Sequence, residues 1–190
     1  MRVIAGSHRG RRLSGPEGTE LRPTSDKVRQ AIFSILGTQI VGARFLDLYA
    51  GTGAVGIEAL SRGASAVTFV ESDPKVTQLL QNNLRTCRLL DRAQVHLGQT
   101  AAFLDQQDSW ASPYDVLFAD PPYAALDELE VMMHSWRPGL FSEHATMIFE
   151  QDSRTELPAT IDHASLLRRY VYGDTALYLY GLSTAQSTNS

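Results

Sequence analysis

The sequence has little of the chemistry that supports disulfides or metal centres. Cys87 is the only cysteine in 190 residues, which excludes an internal disulfide and a metal site built on cysteines. The five histidines are scattered along the chain without the spacing of metal ligands, at His8, His96, His134, His144 and His163. We therefore expect no bound metal.

Long hydrophobic runs are also missing. No stretch of 18 apolar residues occurs, and residues 1–6 are not followed by the apolar segment of a signal peptide. These absences predict a soluble, cytoplasmic protein without a membrane partner. With 43% apolar residues, a chain of this length can form one domain with a substantial core, and we expect it to act as a monomer.

The charge is distributed unevenly. A net charge of −4 does not by itself suggest a nucleic-acid partner. Residues 1–30, however, contain seven basic and three acidic side chains, so they carry +4 while the rest of the chain carries −8. Because Lys and Arg make the contacts to phosphates, this asymmetry favours contact between the N-terminal end and a polyanion.

Residues 45–56 organise the predicted fold. An apolar run typical of a buried strand ends at Ala50, and Gly51, Gly53 and Gly56 follow in the spacing G-x-G-x-x-G. Glycines with this spacing allow a tight turn, close approach of a ligand to the backbone, and packing of the next helix on the strand. The pattern predicts a ligand at this turn.

A second strand, residues 66–70, ends in Glu71, which lies 20 residues after Gly51. An acid at this place can accept both hydroxyls of a ribose, so an adenosine-containing cofactor is indicated. NAD and S-adenosylmethionine both remain possible from this pattern. Asp47, inside the first strand, favours S-adenosylmethionine, because a carboxylate suits a charged amino-acid group better than a pyrophosphate.

The N-terminal region reads as a hairpin followed by a helix. Residues 2–13 contain two short strand-like segments around a glycine turn, with arginines that would project outward. Thr24 or Ser25 can cap a helix that ends at Gly37. We expect the face of this helix that carries Lys27, Arg29 and Gln30 to be free.

The remaining pattern alternates strands and helices. Further strands are predicted at residues 94–98, 114–119 and 145–150, a helix at residues 126–134, and a terminal hairpin at residues 167–172 and 176–180. This order predicts an α/β fold with a mostly parallel sheet, helices on both faces and antiparallel pairing at one edge. Four candidate ligand groups then lie together at the carboxyl ends of the strands: Gly51, Glu71, Gln99 and Asp120.

Three units are predicted along the chain. Residues 1–37 form an appendage of hairpin and helix that we expect to contact a polyanion, residues 38–182 the α/β domain with the cofactor turn, and residues 183–190 a polar, disordered tail.

Asp120 opens the most informative motif, Asp-Pro-Pro-Tyr, at the end of a predicted strand. The prolines stiffen the loop, so the Asp120 carboxylate and nearby carbonyls are fixed as acceptors while Tyr123 offers a flat ring. Two acceptors can hold the hydrogens of an exocyclic NH₂ group and direct its lone pair at an electrophilic methyl group. Such a base must be single-stranded, looped or flipped out.

These residues resemble the amino-group methyltransferases of the Rossmann-like class. The N-terminal segments at residues 2–6, 10–11 and 22–33 are similar to the RsmD-like 16S rRNA guanine-N2 methyltransferases of bacteria. The resemblance implies transfer of a methyl group from S-adenosylmethionine to N2 of one guanine in 16S rRNA, either free or within the small ribosomal subunit.

The resemblance also implies roles for individual residues. Cofactor contacts carry over to Asp47, Gly51, Gly53, Glu71 and Asp120. Target-base contacts carry over to Asp120, Pro121 and Tyr123. The candidates for contact with the RNA strand are Arg9, Arg11, Arg12, Arg22 and Thr24. Gln99 departs from the usual pattern, because Asp or Asn commonly meets the adenine amino group at that place, yet glutamine can accept the same hydrogen bond.

Two rival functions follow from the same residues. A Pro-Pro-aromatic loop suits any planar NH₂ group, including adenine N6 in DNA or RNA and a glutamine amide in protein. An NAD-dependent oxidoreductase or a non-catalytic RNA-binding module is the other alternative. No hydride-transfer arrangement such as Tyr-x-x-x-Lys is evident, and a pure binding module has no need of Asp120.

Overall fold

The computed structural model describes residues 1–15, 24–111, 113–121 and 139–182. Its helices are α1 (Asp26–Leu36), α2 (Ala54–Ser61), α3 (Pro74–Cys87) and α4 (Thr100–Asp105). Its strands are β1 (Arg44–Leu48), β2 (Ala66–Glu71), β3 (Ala93–Leu97), β4 (Tyr114–Ala119), β5 (Phe141–Asp152), β6 (Thr160–Ile161), β7 (Ala164–Tyr172) and β8 (Thr175–Leu182). The predicted helix at residues 126–134 and the predicted tail lie outside the described residues.

The described strands form one sheet in the order β3-β2-β1-β4-β5-β8-β7-β6. Strands β3, β2, β1, β4 and β5 are parallel, whereas β8 is antiparallel to β5 and β7 to β8. The predicted α/β fold with an antiparallel edge is therefore confirmed. Because the chain leaves β1 toward β2 and later returns to pair β4 on its other side, the topological switch point lies between β1 and β4.

Side chains along each strand point alternately to the two faces of the sheet, so both faces present apolar groups, and helices cover both. On one face, Phe45 and Phe118 pack with α1, α2 and α3, and on the other, Leu46 and Leu117 pack with Phe103 of α4. No helix in the described part of the chain is long and apolar enough to cross a membrane.

Helix α1 begins where the sequence predicts. The Ser25 hydroxyl accepts a hydrogen bond from the Val28 backbone N–H at 3.2 Å, and Asp26 occupies the first turn, where an acid is favourable. Arg29 corrects the prediction of a free polar face, because its side chain is fully buried. Its Nη2 donates to the Asp26 carboxylate at 2.8 Å and to the Arg2 carbonyl at 2.7 Å.

The N-terminal segment packs on α2. The backbone N–H groups of Ile4 and Ala5 donate to the buried Glu58 carboxylate at 2.7 and 2.9 Å, and Arg62 donates to the same carboxylate at 2.8 Å. A single bridge between Arg2 and Arg12 closes the segment as a minimal hairpin. Its apolar side chains belong to the same hydrophobic core as the sheet, so the segment packs as part of the sheet domain. The separate RNA-contacting role predicted for residues 1–37 stays a prediction.

Candidate active site

The turn between β1 and α2 has the backbone that its glycines allow. Gly51 and Gly53 have φ of 55° and 79°, in the left-handed region that favours glycine. A Cβ on Gly53 would lie 2.0 Å from Leu80 Cδ1 of α3. Tyr49, with φ of 59°, is an unusual aromatic residue in this region. The chain therefore makes a close turn at the carboxyl end of β1 and leads directly into the first N–H groups of α2.

Gly56 lets α2 lie directly against the sheet. A Cβ there would approach Phe69 Cε1 to 2.2 Å, and the Gly56 N–H donates to Asp47 Oδ2 at 2.8 Å. Asp47 is buried, and burial raises its pKa well above the ordinary value. The Gly56 hydrogen bond opposes this shift, while the negative charges of Asp120 and Glu71 add to it.

Glu71 ties β2 to the glycine turn. Its carboxylate accepts hydrogen bonds from the N–H groups of Gly51 at 2.8 Å and Asp73 at 2.9 Å. A carboxylate has about four acceptor positions, so two are left for other donors such as ribose hydroxyls. Sequence reasoning placed Glu71 at this edge but missed that the same carboxylate shapes the glycine turn.

Asp120 follows the last residue of β4, which pairs with β1. Its side chain is partly buried, and burial raises the pKa of the carboxyl group to about 7. A hydrogen bond from the Thr24 side chain works in the opposite direction and lowers it. The next residue, Pro121, is buried, whereas Tyr123 lies outside the described residues.

The contact between Thr24 and Asp120 joins the start of α1 to the end of β4. Thr24 was predicted as a helix cap or an RNA contact. Ser25 is the cap, and the Thr24 side chain hydrogen-bonds the Asp120 carboxyl group, while its contact with RNA stays a prediction. Local spacing holds no signal for this pairing, because it depends on how α1 lies across the sheet.

Asn83, on α3, is a buried residue that the sequence analysis missed. Its Nδ2 donates to the carbonyls of Thr52 and Ser14, each at 3.0 Å, and its Oδ1 accepts from the Ser14 N–H at 2.8 Å. One side chain thus fixes both the glycine turn and the end of the N-terminal segment. A polar residue within the apolar stripe of an amphipathic helix was the available signal.

The other predicted residues lie at two separate places. Gln99 is exposed at the N-terminal end of α4, two residues after the end of β3, and its side chain makes no capping hydrogen bond. Arg9, Arg11 and Arg12 are exposed on the N-terminal segment, where Arg11 Nη1 donates to the Thr86 carbonyl at 2.8 Å. Arg22 lies outside the described residues.

Three carboxylates, Asp47, Glu71 and Asp120, converge at the ends of three adjacent strands. Their clustering suits a ligand with positive groups, such as the ammonium and sulfonium of S-adenosylmethionine, because such groups favour the ionised carboxylates, and it opposes a pyrophosphate. The described residues contain no group of three or more His, Cys, Asp or Glu side chains that could hold a metal ion.

Comparisons with known proteins identify similar chains. The family model described as conserved hypothetical protein 95 matches residues 1–181. Ribosomal RNA small subunit methyltransferase D of Escherichia coli K12 is 37% identical over 182 residues, which are 95% of this chain and 89% of the relative.

Solved structures agree with this match. The Escherichia coli protein yhhF is 37% identical and superimposes with a TM-score of 0.82, over 96% of this chain and 98% of that one. An RNA methyltransferase of Salinibacter ruber, solved with S-adenosyl-L-homocysteine, is 13% identical with a TM-score of 0.63, over 88% of this chain and 98% of that one. At that low identity, the second likeness shows the fold alone.

Proposed function

The chain belongs to the RsmD family, and from this premise we propose that it transfers a methyl group from S-adenosylmethionine to the exocyclic N2 amino group of one guanine in 16S rRNA. The similar Escherichia coli protein is named for methylation of small-subunit ribosomal RNA. The observation that carries the choice of an amino group is the partly buried Asp120 carboxyl group at the switch point, followed directly by Pro121.

Asp120 and the backbone carbonyls near it hold the hydrogens of the guanine NH₂ group in this proposal. Accepting these hydrogen bonds draws the nitrogen toward a tetrahedral shape and directs its lone pair away from the protein acceptors. The ionised carboxylate also stabilises the positive charge that develops on the nitrogen. Pro121 restricts the loop, and Tyr123 stacks on the base.

Asp47, Gly51, Gly53, Glu71 and Gln99 hold the cofactor, which supplies an electrophilic methyl group when bound. Glu71 accepts the ribose hydroxyls with its remaining acceptor positions, and Gln99 meets the adenine amino group. Asp47 offers a carboxyl group to the positive end of the cofactor and keeps α2 close to β1 through its bond to Gly56. Asp120 would contact the cofactor as well as the base.

The substrate is 16S rRNA or an assembling small ribosomal subunit, on which the protein acts as a monomer in the cytoplasm. Residues 1–37 contact the RNA, with Arg9, Arg11, Arg12, Arg22 and Thr24 as the proposed contacts. Support comes from the exposure of the three arginines of the N-terminal segment and from the bond that joins Thr24 to Asp120.

The test is incubation with methyl-labelled S-adenosylmethionine and undermethylated small ribosomal subunits, followed by digestion to nucleosides and chromatography. Label in N2-methylguanosine is the expected result, and it identifies cofactor, reaction and base together. Label in N6-methyladenosine, or only in added DNA or protein, would keep the amino-group chemistry and overturn the substrate.

A further inference from the structure

A polar cavity of about 360 Å³ lies between the N-terminal segment and the first turn of α1. Arg2 and Arg9 form one wall, and Asp26 and Gln30 form the other. Its volume falls within the range of about 300 to 1,000 Å³ that is typical of small-ligand sites. Arg2, Asp26 and Gln30 take no part in the site around Asp120.

The cavity carries positive charge that its own walls do not neutralise. Arg2 and Arg9 are exposed, and neither has an ion-pair partner within the described residues. Behind the wall, the buried Arg29 binds the Asp26 carboxylate at 2.8 Å and so offsets its charge. Two guanidinium groups are left to attract an anion, and arginine is well suited to phosphate.

The opposite wall adds the side chains of Asp26 and Gln30, whose hydrogen-bonding groups are not required to bind a bare phosphate. Asp26 uses Oδ1 for Arg29, and its side chain is 59% exposed, so Oδ2 can accept from a ligand. Gln30 offers both a donor and an acceptor. One wall offers hydrogen-bond donors for a phosphate, and the other offers groups that can hydrogen-bond to a base edge. This combination fits a nucleotide better than a free anion.

The cavity is also close in sequence to the proposed target-base site at Asp120. Asp26 lies two residues after Thr24, whose side chain hydrogen-bonds Asp120. A strand that places one base at Asp120 can therefore continue across the start of α1 into the cavity. On the basis of the proposed function, we propose that this cavity binds one unpaired nucleotide that flanks the target guanine, with its phosphate on Arg2 and Arg9 and its base edge on Asp26 and Gln30.

The test compares two cavity variants, Arg2→Gln and Gln30→Ala, with the control Arg44→Gln. Arg44 is an exposed arginine at the amino end of β1, on the opposite edge of the sheet. Arg29 binds the backbone carbonyl of Arg2, so Arg2→Gln leaves that contact in place, and thermal midpoints verify folding. Binding is measured with a short labelled single-stranded RNA, and kcat/KM with undermethylated small ribosomal subunits.

Arg2→Gln is expected to weaken RNA binding about tenfold, as for one charge-assisted hydrogen bond, and to lower the salt slope by about 0.7. Gln30→Ala should lower kcat/KM about fivefold without changing the salt slope. Arg44→Gln should stay within about twofold of wild type in both measurements.

The outcomes separate this inference from the proposed function. If wild type methylates the RNA while Arg2→Gln and Gln30→Ala behave like Arg44→Gln, the nucleotide site is overturned and the function stands. An effect of Arg2→Gln alone would leave a phosphate contact and overturn base reading by Gln30. If wild type transfers no methyl group to RNA, the proposed function fails, and RNA binding by the same variants still decides whether the cavity takes a nucleotide.

Discussion

The environment of Asp120 suits a carboxylate that reacts with substrate, whereas the environment of Asp47 suits a structural carboxylate. Asp120 is partly buried and held by one hydroxyl group, whereas Asp47 is fully buried and held by a backbone N–H. We expect Asp120→Ala to abolish turnover while cofactor affinity, measured by calorimetry, stays within a few-fold. The reason is that Asp120 acts on the nucleophile. A large loss of cofactor affinity would instead make cofactor binding the main role of Asp120.

The pKa of Asp120, raised to about 7, predicts a pH dependence near neutrality. Below this pH the carboxyl group is protonated and a weaker acceptor, so kcat/KM for the cofactor should rise with pH and level off above about 7. Thr24→Val removes the hydrogen bond that lowers this pKa, so its inflection should move to higher pH. Thr24→Ser, which keeps the hydroxyl group, should titrate like wild type, and identical profiles for all three proteins would contradict the assignment.

Gly56 shows how a missing side chain can position a site. A Cβ there would lie 2.2 Å from Phe69 Cε1 and 2.9 Å from Asp47 Oδ2. Gly56→Ala should therefore push α2 away from β1, lower the free energy of unfolding by about 1–3 kcal/mol, and weaken cofactor binding. Urea unfolding and calorimetry measure both effects. Gly98→Ala is the matched control for stability, because a Cβ at Gly98 meets no atom within 4 Å.

At the scale of elements, Glu58 on α2 holds the N-terminal segment. Its buried carboxylate accepts from two backbone N–H groups and from Arg62, and it lies 4.0 Å from the buried Arg29. Glu58→Ala leaves these donors without an acceptor and leaves the buried Arg29 with only the largely exposed Asp26 as a counter-charge, so we expect a loss of about 3–5 kcal/mol in the free energy of unfolding.

Two measurements check this expectation. Urea unfolding gives the free energy, and limited proteolysis should show faster cleavage within residues 1–15 in Glu58→Ala. Arg62→Ala is the comparison, since Arg62 is partly exposed and its loss leaves both backbone contacts of Glu58 intact. Equal stability of Glu58→Ala and wild type would show that α2 does not anchor the segment.

The elements also show what local sequence can predict. Most of the parallel strands were predictable because they contain an apolar run between turn residues. Strand β5, however, extends to Phe141–Asp152 where only residues 145–150 were expected. Its added ends are largely polar or exposed and give no hydrophobic signal. The free face predicted for α1 was wrong at Arg29. The Arg2 carbonyl and the Glu58 carboxylate, which lie against its buried guanidinium, belong to other segments, so helical periodicity holds no information about them.

At the scale of the whole molecule, the sheet explains why the candidate site was partly predictable. Asp47, Glu71 and Asp120 each lie in or just after a parallel strand, and the carboxyl ends of such strands meet at one edge. The alternation of strands and helices was therefore enough to bring them together. The bond from Thr24 to Asp120 was not predictable, because it depends on the direction in which α1 crosses that sheet.

The uneven charge of the chain has a measurable consequence for the whole molecule. Arg9, Arg11 and Arg12 are exposed together on the N-terminal segment, whereas the chain as a whole carries −4. If these arginines contact RNA phosphates, replacing all three with glutamine should weaken binding to single-stranded RNA. The slope of log K against log salt should also fall by about 2, since each phosphate contact contributes about 0.7.

Binding titrations at several salt concentrations measure that slope, and thermal midpoints show whether loss of the bond from Arg11 to the Thr86 carbonyl affects folding. Arg44→Gln is the control, because it removes one exposed positive charge at the amino ends of the strands, away from the proposed RNA path. An unchanged slope in the triple variant would remove the N-terminal segment from the RNA surface.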